Sequence, residues 1–250
     1  MKNLLSIGIL MLSGMVTFGQ SNIVEKRVSL HLKDASFYIV AGTLIESYDV
    51  PIGLEVLPNT VLVDDVLFEY NRNFRFPNGG GMSWPLSSDL WPPAEKIKFT
   101  LDFDKVTLSE AMDTIVAKMP GYRWESDGHV INILPKADRD PRIIKLLDLK
   151  IREFEIEANE PIATIMYKLI STPEFKSFET EQHVEFPKSV EGASSNDARR
   201  LPAKLSFEKL TVKELLNAIL REKRGGWIVR LDRWPEKDKD GRRRGMVVNL

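Results

Sequence analysis

Residues able to do chemistry are sparse in this chain and poorly grouped. His31, His129 and His183 are too few and too scattered for a metal site, and no His-Glu-x-x-His or paired-cysteine motif accompanies them. Asp102 and Asp104 have the two-residue spacing that puts both carboxylates on one face of a strand. An acid/base pair would need one of them desolvated, and the polar residues alternating around them supply no such pocket. Serines are plentiful, but none sits in a Gly-x-Ser-x-Gly elbow. Gly79-Gly80-Gly81 lacks the lysine and the helix start that a phosphate cradle requires. No catalytic residue, no metal ligand and no cofactor site is expected, and an enzyme is the least favoured class.

Aromatic residues offer a different chemistry, that of contact. The stretch 71–93 places Phe74, Phe76, Trp84 and Trp91 among asparagine, glycine and proline. Loops this long without periodicity tend to be functional or disordered, and disordered segments are poor in aromatics. Two outcomes follow. The loop folds its tryptophans over its own domain as a lid, or it presents them to a protein, peptide or glycan. The basic cluster Lys237, Lys239, Arg242, Arg243 and Arg244 is interleaved with acids in its first half and reads as a solvated hairpin tip.

The elements that must carry these residues come in a repeat. Phe103-Asp104-Lys105-Val106-Thr107-Leu108-Ser109-Glu110-Ala111-Met112 aligns without gaps on Phe207-Glu208-Lys209-Leu210-Thr211-Val212-Lys213-Glu214-Leu215-Leu216. Each copy continues into an aromatic strand, Tyr122-Arg123-Trp124 or Trp227-Ile228-Val229. Each closes on a similar strand, Val130-Ile131-Asn132-Ile133 or Val247-Val248-Asn249-Leu250. Upstream, Leu30-His31-Leu32 precedes a helix with Tyr38, Ala41, Leu44, Ile45 and Tyr48 on one face. Phe154-Glu155-Ile156 precedes one with Ile162, Ile165, Met166, Leu169 and Ile170. Both sets have the spacing of a helix that buries one stripe.

Each copy therefore reads as strand, helix, strand, then strand, helix, strand, strand. The expected class is α+β, with two tandem modules of βαβ-βαββ order whose two helices pack on small split sheets. Thr107 with Glu110 and Thr211 with Glu214 form Thr-x-x-Glu capping boxes at the second helix of each copy. Pro120-Gly121 and Gly225-Gly226 end those helices, and Asp127-Gly128 turns a hairpin. Asn159 is the expected cap of the helix that starts near Pro161, while Gly42 weakens the first helix. The boundaries predicted are 22–135 for the first module, 136–145 for a charged linker and 146–250 for the second module.

Residues 1–19 carry the pattern of a signal peptide. Lys2 precedes the apolar run Leu4, Leu5, Ile7, Ile9, Leu10, Met11 and Leu12, and the small residues Thr17 and Gly19 precede a cleavage site before Gln20. The run is too short to span a bilayer, and no later segment is apolar enough, so no membrane span is expected after cleavage. The chain has no cysteine, which excludes disulfides and a lipidated N-terminal cysteine. A net charge of −1 offers no basic field for nucleic acid. Export to the periplasm, or to the periplasmic side of the outer membrane, is the expected location.

The unit resembles the secretin and TonB N-terminal short domain. The segments 106–112, 122–124 and 130–133 match the second half of that family's pattern, and 210–216 with 247–250 match it again. The resemblance implies a periplasmic module that docks onto other envelope proteins, in secretion machinery or in signalling from outer-membrane receptors. Pore and transport activities are not implied, because no strand series that could build a barrel follows the modules. Free edges of the small sheets would also recruit strands, from partners or from further copies of the chain. The alternative function is binding of glycan or peptidoglycan fragments through Trp84, Trp91 and Phe74.

Overall fold

The computed structural model describes residues 22–57, 97–186, 203–223, 225–232 and 244–249. A 3₁₀ turn at Ile23–Glu25 leads into β1 (Arg27–Ala35), α1 (Phe37–Tyr48) and β2 (Ile52–Glu55). Then come β3 (Phe99–Thr107), α2 (Leu108–Ala117), β4 (Tyr122–Ser126) and β5 (Ile131–Pro135). The second half opens with α3 (Pro141–Leu147), β6 (Lys150–Ile156), α4 (Ile162–Ile170), α5 (Pro173–Gln182) and β7 (Val184–Glu185). It ends with β8 (Leu205–Thr211), α6 (Val212–Lys223), β9 (Gly226–Asp232) and β10 (Arg244–Asn249). The fold is α+β.

Local chemistry sets the helix ends. The Glu110 amide donates to the Thr107 hydroxyl at 3.2 Å, and the Thr107 amide donates to Glu110 Oε2 at 2.8 Å. Thr211 and Glu214 repeat both bonds at 3.2 and 2.8 Å. The threonine amide and hydroxyl hold both glutamates below the usual carboxylate range. A lowered carboxylate stabilises the fold above its unfolded pKa, and that contribution is lost as the pH falls through the folded value. Thr211→Ala should therefore cost ~1 kcal/mol at neutral pH and flatten part of the acid limb of a urea-midpoint profile. Thr107→Ala should behave alike.

Three details differ from the sequence expectation. Asn159 sits in a turn with φ of 60°, and Pro161 is the N-cap of α4 without a side-chain bond. After Ser171 comes a helix absent from the sequence expectation, α5, which Thr172 caps with Pro173 in its first turn. The expected linker 136–145 holds the start of α3, capped by Asp140, and Ile143, Leu146 and Leu147 of that helix lie in the core.

Helix α1 buries Phe37, Val40 and Leu44, with Ala41, Ile45 and Tyr48 packed at its flank. Gly42 lies in this helix, and a Cβ there would meet nothing within 4 Å. Gly42→Ala should raise stability by up to ~1 kcal/mol, read as a higher denaturant midpoint at unchanged slope.

One strand-pairing scheme recurs in the two halves. β1 pairs antiparallel with β3, and β6 with β8. β4 pairs antiparallel with β5 and β5 parallel with β2, while β9 pairs antiparallel with β10 and β10 parallel with β7. Asp49 and His183, both left-handed at φ of 55° and 51°, end the helices that precede β2 and β7. Lys105 and Lys209, at φ of 51° and 54°, occupy matching places in β3 and β8. The closing strands match two residues away from the sequence alignment. Trp124 faces Ile133 and Val229 faces Val248, which equates Ile133 with Val248, and a shift of two keeps every side chain on its face.

The sheets are not all divided by half. β2 also pairs in parallel with β9, so one six-stranded sheet runs β4-β5-β2-β9-β10-β7. On one face Ile52, Leu54, Ile131, Ile133 and Tyr122 join the core formed with α1 and α2. On the other, Val130, Leu134, Trp227, Val229 and Val248 join the core formed with α3 to α6. Each half thus covers one side of a shared sheet. Strands β2 and β5 are buried throughout, as expected of strands covered on both faces.

Candidate docking site

The four aromatic residues expected to form a contact surface, Phe74, Phe76, Trp84 and Trp91, lie outside the described residues, as do residues 1–19, expected to be a signal peptide, and the basic stretch 237–243, expected to be a hairpin tip. The other sequence candidates are placed and stay apart. His31 Nδ1 sits 2.7 Å from Asp102 Oδ1 on the exposed side of the β1–β3 pair. Asp104 accepts from the Ser29 hydroxyl at 3.0 Å. His129 follows the β4–β5 turn, where Asp127 Oδ1 accepts from the amides of His129 and Val130 at 3.0 and 2.9 Å. His183 ends α5. Among the described residues no three potential metal ligands converge.

What the structure does assemble is a seam between the halves. Across the sheet, Glu125 of β4, Asn132 of β5, Gly53 of β2 and Trp227 of β9 form one row. A Cβ on Gly53 would lie 2.2 Å from Trp227 Cε2, so only glycine lets the buried indole lie over this strand. The indole Nε1 donates to Asn217 Oδ1 at 2.8 Å, and Asn217 Nδ2 donates to Asp127 Oδ2 at 3.0 Å. Arg221 reaches the same Asp127 oxygen at 2.9 Å. Lys213 of α6 pairs with Glu125. Beside the row, Glu55 accepts from Arg139 Nε at 3.0 Å and from Nη2 at 2.6 Å. Asn132 Oδ1 is buried and accepts no hydrogen bond within the described structure.

Apart from Asn132, the polar groups of the seam pair with one another across it. Burial pushes Asp127 and Glu125 upward, but hydrogen bonds outweigh it and leave both below the usual range. Asp127 is held by the Val130 and His129 amides and by Arg221, and Glu125 by Lys213 and Arg123. Their contribution is therefore present above the unfolded pKa values and lost as acid protonates the folded carboxylates. Stability should fall below about pH 4, and Asp127→Asn should lower the neutral plateau and shrink that acid loss. An unchanged profile in the variant would remove the seam from the account of acid sensitivity.

None of the seam residues was singled out in the sequence as functional. One signal was there. A glycine between Ile52 and Leu54, inside a short apolar strand, marks a close approach of another chain segment.

Among the described residues the sheet ends with β4 on one side and β7 on the other. Lys136 N donates to Gly121 O at 2.7 Å, which makes Tyr122 and Pro135 a non-hydrogen-bonded pair of the β4–β5 ladder. Strand alternation then turns the amides of Arg123 and Glu125 toward β5 and the N–H and C=O of Trp124 outward. That outward edge can accept a further strand.

Comparison with known proteins finds no matching family model, no matching curated protein and no matching solved structure.

Proposed function

We propose that this chain is an exported docking component of the cell envelope, made of two tandem modules like the secretin and TonB short domain, and that it works by binding rather than catalysis. The observation that carries the reading is the recurrence of one strand-pairing scheme on both sides of the seam, in a sheet whose end strand β4 turns outward a peptide group that no described residue pairs with. The export signal in residues 1–19 and the −1 net charge favour an envelope protein as partner over nucleic acid or anionic lipid.

The test is capture of envelope proteins by the chain without its first 19 residues, compared with two variants. One lacks residues 71–93, and the other is Trp124→Pro, which removes the outward amide of β4. Capture of the same protein by the parent, lost in at least one variant that still folds, supports the docking role. Capture that is identical in all three chains overturns it. Tryptophan fluorescence that responds to peptidoglycan fragments, and ceases to in a Trp84→Ala/Trp91→Ala chain, would replace the protein partner with a glycan.

A further inference from the structure

We infer that the occupant of the β4 edge is a second copy of this chain, and that two copies pair antiparallel through β4 about a two-fold axis at Trp124. The inference rests on the docking role proposed for that edge and goes further by naming the partner.

The main chain of β4 presents its bonding groups at a defined place. Tyr122–Ser126 pair with β5 on one side. Tyr122 N donates to Met119 O at 3.0 Å, so that amide is already engaged. Trp124 comes next in the alternation, with its N–H and C=O turned away from β5. Its side chain is fixed on the α2 side, where Nε1 donates to Asp113 Oδ1 at 2.8 Å. The outward donor and acceptor therefore sit on a strand held from both ends and from one face.

The residues on either side of Trp124 carry opposite charge. Arg123 and Glu125 share the other face of the strand, 46% and 34% exposed, and Arg123 Nη1 donates to Glu125 Oε2 at 2.7 Å. In an antiparallel pair centred on Trp124, the two Trp124 residues exchange both of their N–H···O bonds. Each Arg123 then faces Glu125 of the other chain. The four charges alternate in sign, and every carboxylate has one guanidinium on its own strand and another across the pair. Charges usually protect an edge strand, but they do so by meeting like charges. An antiparallel copy of Arg-Trp-Glu meets opposite ones, which is a favourable cross-strand pairing.

The same charges select the register. An axis at Glu125 would set two carboxylates face to face, and an axis at Arg123 two guanidinium groups, and both arrangements cost free energy. Lys213 of α6 also pairs with Glu125, so the second half holds this carboxylate in place before a copy arrives. A contact in which Arg123 meets Glu125 and Glu125 meets Arg123 is isologous and closes at two chains. It is also short, so the dimer forms reversibly as the concentration rises.

Sedimentation of the full-length chain should show a mass that rises with concentration from one chain to two. Arg123→Glu, which turns the four alternating charges into four acids, should stay monomeric over the same range, while Arg123→Lys should dimerise as the parent does. Arg123 is half exposed, so neither change disturbs the core, and circular dichroism checks that. The chain has no cysteine, so introduced thiols report the contact without background. Facing residues of a non-hydrogen-bonded pair have Cα atoms ~4.5 Å apart, within the range a disulfide spans. Arg123→Cys and Glu125→Cys chains mixed under mild oxidation should give a dimer with one chain of each kind, in clear excess over the product of either alone. A parent mass that stays at one chain, a mass that climbs past two, an Arg123→Glu chain that dimerises like the parent, or Glu125→Cys chains that cross-link alone as well as the mixture would each overturn the proposal. A monomer that captures an envelope protein, with capture lost in Trp124→Pro, would remove this inference and leave the docking role standing. A dimer with capture unchanged in every variant would do the reverse.

Discussion

Gly53→Ala is expected to cost about 3 kcal/mol, at the upper end of what an overpacked methyl does. The new Cβ would sit 2.2, 2.4 and 2.6 Å from three atoms of the Trp227 indole. The ring has little freedom to yield. It is fully buried, and its Nε1 is bonded to Asn217. The strands cannot slide apart cheaply either, since Gly226 packs its own backbone against the Ile52 carbonyl, where a Cβ would lie at 2.8 Å. The substitution therefore forces either the indole out of its core or β2 away from β9. A cycle with Trp227→Phe separates these effects: the smaller ring gives the methyl room, so Gly53→Ala should cost less in that background. Equal urea-midpoint shifts in both backgrounds would show that the contact is not the cause.

The elements were legible in the sequence because they follow from local rules. Period-two alternation placed β1 and β3, and the threonine and glutamate pairs placed the starts of α2 and α6. The succession of strands along each half was read from the repeat, but not which strands pair. The seam was not legible, since a parallel pairing between β2 and β9 joins segments more than 170 positions apart through a single glycine. No period or capping rule reaches across such a separation. Helix α5 was missed for another reason. Apolar spacing runs on from Leu169 and Ile170 to Phe175 and Phe178, and only Thr172-Pro173 marks a second start. For the candidate site, the residues that looked chemical proved to be spread over separate surfaces. Glu55, Asp127 and Asn217 carry polar contacts across the seam or beside it, and their side chains gave no motif.

The second large effect is expected at the ion pair beside the seam. Glu55 is 1% exposed, and its carboxylate accepts three hydrogen bonds from Arg139, which is 24% exposed. Arg139→Met removes the counter-charge and leaves a buried carboxylate against the second half's core, which should cost ~3–5 kcal/mol. The partial exposure of Arg139 admits some water and favours the lower end. Glu55→Gln should cost less, because a neutral amide still accepts one bond from the guanidinium. Glu55→Met/Arg139→Met should recover much of the single-variant loss, as apolar replacement of a buried pair often does. If Arg139→Met shifts the urea midpoint no more than an ordinary surface change, ~0.5 kcal/mol, then water already reaches Glu55 and the pair does not hold the halves together. The pair has a positional meaning that gives the result its weight. Arg139 lies on the segment joining the halves, and Glu55 lies on the strand that the seam uses. Losing the pair should therefore expose residues 136–140 to protease before the two cores unfold, whereas Gly53→Ala, which acts on the paired strands themselves, should loosen sheet and connector together.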